Sequence, residues 1–271
     1  MKNKEIAEKW YKKLDFPKEM DPAFRKALES ADIPDGLSAE NAPPLTNLGT
    51  LGAVWSLYFA ENMELEYKKH GIEFRFENDI QRLRNRILRY FERTGDLDIG
   101  DLTWERHYLM AREFRIGRLV FTLGKSPVDI PERNLYTDDP VLQIHVPGAE
   151  PLIYEDCKKS IADANDFVKL HFPDFKYKYF TCLSWLLDDS IKDLLGEGSN
   201  ILKFGTLFDK VRINRSDNII RFVFGGGATR ETLKETEPKN RFQRELKEAA
   251  LNGRDFYDVR GLIDPTKISS I

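Results

Sequence analysis

Val141-Leu142-Gln143-Ile144-His145-Val146-Pro147-Gly148 is the stretch on which the reading of this chain turns. Leu142, Ile144 and Val146 fall on one side and Gln143 and His145 on the other, the two-residue period of a strand with one buried face. Pro147-Gly148 ends that strand. Cys157, Ile161, Ala164 and Val168 then recur at helical spacing, so residues 153–171 are expected to be a helix closed by Pro173. Residues 177–186 return to a strand. Two strands joined through a helix pair in parallel, because a tight hairpin can join only antiparallel neighbours.

Working outward, Asp188 or Asp189 is placed to cap a short helix that stops at Gly196. Leu202, Phe204, Thr206 and Phe208 alternate, as do Ile220, Phe222 and Phe224, with a hairpin turn expected at residues 214–218. Asn240 with Gln243 resembles a capping box opening a helix that ends at Gly253, and residues 256–263 read as a last strand. Upstream, Phe114 and Ile116 are out of phase with Leu119, Phe121 and Leu123, which predicts a single strand bulged at Gly117. Residues 124–140 read as loop with a weak strand near Leu135.

Before residue 113 the period is helical. Asn3 can cap a helix carrying Ile6, Ala7, Trp10, Tyr11 and Leu14. Further helices are expected over residues 22–31, over 48–70 with a stop at Gly71, and around Ile80, Leu83, Ile87, Leu88 and Phe91 with a stop at Gly95. Thr103 is placed to cap one more, to about residue 112, and the prolines and glycine of residues 32–47 mark a loop. The expected fold class is therefore α+β: a helical N-terminal domain, 1–112, followed by a mixed-sheet domain flanked by helices, 113–271.

Composition sets the limits. Of 271 residues, 41% are hydrophobic and 32% charged, with a net charge of −3. That is too apolar and too nearly neutral for a disordered chain, and large enough for a core without disulfides or metals. It also argues against general nucleic-acid binding, which needs a basic surface. Two cysteines, Cys157 and Cys182, make no disulfide framework and fit a reducing cytosol. The charged first residues lack a signal core, and the interrupted apolar run over residues 48–60 falls short of the roughly 20 residues that span a bilayer. A cytoplasmic protein without a membrane partner is expected.

No GxxxxGK[ST], GxSxG, HExxH or CxxC pattern is present, and His70, His107, His145 and His171 have no metal-ligand spacing. No metal cofactor is expected. Gly225-Gly226-Gly227 reads as a flexible turn. Arg82, Arg84, Arg86, Arg89 and Arg93 share a helix with its apolar stripe, as a solvated face or, in the rival reading, a polyanion site. The 141–148 strand carries the most chemistry. Its Gly/Pro loop feeds a helix N-terminus, where free amides and the helix dipole suit phosphate groups, and its edge can pair with an extended amide-bearing chain.

A resemblance follows from these residues. Phe114-Arg115-Ile116-Gly117-Arg118-Leu119-Val120-Phe121, Ile144-His145-Val146-Pro147 and Thr181-Cys182-Leu183-Ser184-Trp185-Leu186-Leu187-Asp188 resemble bacterial GNAT-like acyltransferases, in which a helical region precedes a GNAT-type domain. Ser199-Asn200-Ile201 and Arg221-Phe222-Val223-Phe224 extend the match to about residue 225. The resemblance implies acyl-coenzyme A as co-substrate. Its pantetheine arm would pair with the strand ending at Ile144 and Val146. Its pyrophosphate would sit at Pro147, Gly148, Ala149, Ile153 and Tyr154. The next strand would diverge to open a wedge for thioester and acceptor.

His145 is the candidate base, against a plain hydrogen-bonding role. Ser184 could protonate the leaving thiolate, against structural hydroxyl bonding, and Cys182 could carry the acyl group, against service as a small buried hydrophobe. Trp185 suits the core, Asp188 a helix cap, and Arg115 and Arg118 either an acidic substrate or solvent. The expected function is acyl transfer from acyl-coenzyme A to an amine or hydroxyl of a small-molecule or peptide acceptor. Val146–Leu152 lacks the usual Gln/Arg-x-x-Gly-x-Gly/Ala pattern, Ile153-Tyr154 replaces Thr-Pro, and Glu150 and Glu155 add negative charge. Those departures motivate the alternative, a non-catalytic binding module for a small ligand or partner protein.

Overall fold

A computed structural model describes residues 2–42, 49–100, 102–148 and 150–270. Residue 48 of the expected 48–70 helix and Ala149 of the expected phosphate loop lie outside them. The chain divides into two compact units, residues 1–114 and 115–271.

Among the described residues the first unit holds five α-helices: α1 (Lys2–Lys13), α2 (Asp21–Ser30), α3 (Thr50–Lys69), α4 (Glu73–Thr94) and α5 (Leu102–Leu109). α3 is buried on most sides, through Ala53, Val54, Leu57, Phe59, Ala60, Met63 and Tyr67. Such a helix forms the middle of a bundle, since every flank needs an apolar neighbour. Trp10 of α1 meets Phe76 of α4 edge to face at 5.7 Å, and its indole N–H donates to Glu61 of α3 at 2.8 Å. α4 ends at Gly95, whose φ of +75° supplies the left-handed cap. Two expectations change here. Asn3 lies inside α1, and its amide donates to the Ile33 carbonyl at 3.0 Å instead of capping. Nor are the α4 arginines merely solvated. Arg82 pairs with Glu113 at 3.0 Å, Arg84 donates to the carbonyls of Leu14 and Asp15, and Arg86 donates to that of Ile99. These guanidinium groups tie Glu113 and two loops to α4, which leaves them poor candidates for a polyanion.

The sheet runs β1-β2-β3-β4-β6-β5, from β1 (Glu113–Ile116), β2 (Leu119–Lys125), β3 (Pro140–His145), β4 (Tyr179–Ser184), β5 (Asp209–Arg215) and β6 (Tyr257–Ile263). β3 and β4 are parallel, joined by α6 (Tyr154–His171), whereas the pairs β2–β3, β4–β6 and β5–β6 are antiparallel. The bulge expected at Gly117 is instead a chain reversal between β1 and β2. Gly117 takes φ +59°, and a Cβ there would stand 2.5 Å from Ser160 Oγ, so the turn presses directly on α6.

Two alternating segments are helices and not strands. Leu202 and Phe204 belong to a helix, α7 (Asn200–Gly205), and Ile220, Phe222 and Phe224 to another, α8 (Asn218–Phe224). The real strand between them is β5, largely exposed at the sheet edge, and its partner is β6. α9 (Arg241–Leu251) begins as expected, with Asn240 accepting from the Gln243 amide at 2.9 Å. Among the described residues no helix is long and apolar enough to cross a membrane.

Candidate active site: a split in the sheet

The β3–β4 ladder is short. It pairs Val141 with Tyr179, Leu142 with Phe180 and Gln143 with Thr181, and then ends. Beyond that point each strand follows its other neighbour. β3 stays with β2 as far as Val120 opposite His145, and β4 stays with β6 as far as Ser184 opposite Val259. The sheet thus opens from Ile144 on one side and Cys182 on the other, slightly before the expected point after Val146-Pro147. Among the described residues the β3–β4 ladder carries no pairing past Gln143, which fits the β3 edge at Ile144 to an extended amide-bearing chain.

Register sorts the side chains. Phe121, Leu142, Ile144, Phe180 and Cys182 share one face, all buried. The opposite face holds Thr122, Gln143 and Thr181 in one row, then His145, Leu183 and Arg260 in the next. His145 Nε2 lies 3.1 Å from Thr122 Oγ1, and Arg260 Nη1 donates to Thr181 Oγ1 at 3.3 Å. Two strongly basic or titratable groups therefore lean back from either side of the open wedge onto threonines of the preceding row.

The other candidates sort by this geometry. Cys182 is 2% exposed on the face opposite His145, and burial pushes its thiol up to about 12. It is a protonated packing residue at neutral pH, and a thiol in that state is a poor nucleophile. Ser184 also alternates away from the His145 face, and its Oγ accepts the Leu186 amide at 3.2 Å, capping the turn Trp185–Leu187. Asp188 caps the following turn through Ser190 and accepts the Tyr257 amide at 3.0 Å, tying the end of β4 to the start of β6. Trp185 is half-buried and stacks near Phe242 at 6.4 Å.

The loop after β3 is organised by a residue that sequence reading left between two roles. Arg118 is 8% exposed and reaches three carbonyl oxygens: Pro147 at 2.9 Å, Glu150 at 2.7 Å and Pro151 at 2.7 Å. Its own amide donates to Ser160 Oγ at 2.8 Å, and that hydroxyl donates to Asp156 O in the first turn of α6. Three carbonyls held on one guanidinium fix the course of this loop. Glu150, expected to repel a pyrophosphate, is held by Arg115 at 2.5 and 2.7 Å. Those hydrogen bonds keep its carboxyl below the usual glutamate range. Ile153 is the N-cap of α6 and supplies no side-chain cap, so the first amides of the helix remain unclaimed by a side chain. Among the described residues no group of three or more His, Cys, Asp or Glu could hold a metal ion.

Thr122, Arg118 as a loop staple and Arg260 escaped sequence reading. The available signal for Arg260 was a lone cation inside the otherwise apolar Val259-Arg260-Gly261-Leu262-Ile263. For Thr122 there was none.

A mixed sheet split between two parallel strands, with a loop and helix start at the mouth of the split, defines the GNAT-like class of fold. Residues 114–263 match the family model described as the GNAT-like C-terminal domain, and the chain belongs to that family. Three solved structures share the fold. An acyltransferase in complex with decanoyl-CoA is 21% identical, with a TM-score of 0.68 over 95% of this chain and 87% of its own. An acyltransferase with CoA and 10C-teicoplanin is 18% identical, with a TM-score of 0.68 over 95% and 87%. A mutant acyltransferase with octanoyl-CoA is 19% identical, with a TM-score of 0.67 over 96% and 88%. No curated protein matches the chain.

Proposed function

We propose that this chain is an acyltransferase that moves an acyl group from acyl-coenzyme A to an amine or hydroxyl of a small-molecule or peptide acceptor. The observation that carries the proposal is the β3–β4 ladder that ends at Gln143 opposite Thr181. Beyond it, the main chain of Ile144 and Val146 would pair with the pantetheine amides. The loop of Pro147 and Gly148, held by Arg118, and the α6 start at Ile153 and Tyr154 would receive the pyrophosphate. Ala149 completes that loop in sequence.

His145, on the face that borders the wedge, would take the proton of the attacking acceptor, with Thr122 orienting its ring. The coenzyme A thiolate then leaves. The fold neighbours support the donor class, since they were solved with CoA, octanoyl-CoA or decanoyl-CoA. Ser184 would offer the leaving thiolate its hydroxyl proton, because its oxygen already accepts a backbone amide. Cys182 has no place in the reaction proposed. A reducing, cytoplasmic setting is proposed on its two unpaired, buried cysteines.

The test is calorimetry and thermal shift with coenzyme A, acetyl-coenzyme A and octanoyl- and decanoyl-coenzyme A, followed by mass spectrometry of an acceptor panel. Saturable binding and an acylated product are expected. Absence of binding by all four would overturn the reading. The alternative, a non-catalytic module, keeps one supporting observation: Glu155 and Asp156 place negative charge in the first turn of α6. Detection of acylated product eliminates it.

A further inference from the structure

Arg260 is a cation where a strand would ordinarily place an apolar side chain. It is 7% exposed, in register with Leu183 on β4 and Arg212 on β5. A guanidinium removed from water normally meets a carboxylate, because unpaired buried charge is expensive. Among the described residues its one side-chain hydrogen bond is to a neutral hydroxyl, Thr181 Oγ1, and the buried Nε has no partner. Burial first, and the Arg212 cation next, pull the Arg260 pKa below the ordinary arginine value. Asp258, on the same face two residues earlier, is engaged by the Asn218 amide.

That arrangement costs folding stability and offers in return an anion-binding fork. Guanidinium groups bind carboxylates through two parallel N–H···O bonds, and a dry surrounding strengthens both. The location is informative. Arg260 stands in the same row and on the same sheet face as His145, with only the wedge and Leu183 of β4 between them. Strands two positions apart in a closed sheet are separated by about 10 Å, and the opening adds to that. A substrate of modest size reacting beside His145 can therefore reach the guanidinium with a second functional group.

We infer that Arg260, with Thr181 and the neighbouring Arg212, is a carboxylate-recognition subsite beside the wedge, selecting a substrate that carries a carboxylate remote from its reacting atom. This deepens the acyltransferase reading and rests on it for the word substrate. The carboxylate has two chemical sources: an acceptor such as an amino acid, or a dicarboxylic acyl group on the donor.

The experiment has an arm free of coenzyme A. The Arg260 Nε resonance, assigned by its loss in Arg260→Met, is titrated with sodium acetate against sodium chloride at constant ionic strength. A saturable shift with acetate alone is expected. Its absence up to the tens of millimolar overturns the subsite whether or not the protein binds coenzyme A. A saturable shift without any acyl-coenzyme A binding leaves the subsite standing and removes the transferase reading.

Two further arms separate the sources. Binding of succinyl- against butyryl-coenzyme A reports a donor carboxylate. Acylation of amino acids against their methyl esters reports an acceptor carboxylate. Wild type is expected to prefer the carboxylate form in one arm, and Arg260→Met to lose at least about tenfold of that preference. Arg260→Lys keeps the charge but lacks the fork, and should lose most of the same preference. Removing an unpaired buried charge should leave the Arg260→Met melting temperature equal to or above that of wild type. A variant that melts lower while retaining both preferences would show the arginine to be structural and sink the inference.

Discussion

His145 Nε2 lies 3.1 Å from Thr122 Oγ1, and Thr122 is 1% exposed. A buried hydroxyl on the adjacent strand thus fixes the ring that borders the split sheet. If His145 is the base, His145→Ala should lower kcat by about 10²–10⁴-fold. Thr122→Val keeps the shape and removes the hydrogen bond, so kcat should fall about tenfold with KM for the acyl donor unchanged. Release of free coenzyme A thiol, followed continuously, measures both. Full turnover by His145→Ala would remove the role.

Arg118 joins three loop carbonyls to the β1–β2 reversal. Replacing it with Met keeps the buried stem and strips three charge-assisted bonds, leaving carbonyl oxygens unsatisfied. A loss of about 3 kcal/mol is expected in urea unfolding. The same variant should bind coenzyme A at least about tenfold more weakly, because the loop amides lose their fixed direction. Unchanged affinity in a folded Arg118→Met protein would separate the loop from pyrophosphate binding.

The strands that matter were legible where one physical signal stood alone. Residues 142–146 alternate, and the helical stripe through Cys157, Ile161, Ala164 and Val168 forces the crossover that makes β3 and β4 parallel. The segment from residue 200 was ambiguous for an equally physical reason. Phe204 and Phe208 are two strand periods apart and also one helical turn apart, so the same pattern serves both. The Ser199 cap, whose hydroxyl accepts the Ile201 amide at 3.2 Å, marked the true helix start. β5 is an edge strand with mostly exposed side chains, so burial imprinted no alternation on it. Arg118 could not be read from sequence because its partners are main-chain carbonyls, which every residue has.

Gly261 lies opposite Cys182 in the β4–β6 pair. A Cβ there would stand 2.6 Å from Phe208 Cβ and 2.8 Å from Leu187 Cδ1. Phe208 Cβ is bonded directly to the main chain and cannot swing aside, so Gly261→Ala should overpack the core and destabilise by about 1–3 kcal/mol. The strain falls on Phe208 and on Leu187, the latter next to the Asp188 carboxylate that holds the Tyr257 amide. Denaturant unfolding gives the loss, and weakened acyl-donor binding is expected alongside it as the far wall of the wedge shifts.

Cys157 and Cys182 are both buried, and burial pushes their thiols up to about 11 and about 12. In the unfolded chain a thiol titrates near pH 8.5, give or take about half a unit. Between that value and the native ones, the unfolded state releases thiol protons that the native state retains. Fewer protons bound in the unfolded state means stability falls as pH rises, beginning above about pH 8.5 and continuing toward pH 11. Melting temperature should decline over that window, and Cys157→Ala/Cys182→Ala should flatten the decline while lowering stability at neutral pH through lost packing. Disulfide-exchange labelling at pH 8 should find no reactive thiol in the native protein and both cysteines after denaturation. Rapid native labelling of Cys182 would reopen its candidacy as a nucleophile, because a thiolate able to attack a label is also able to attack a thioester.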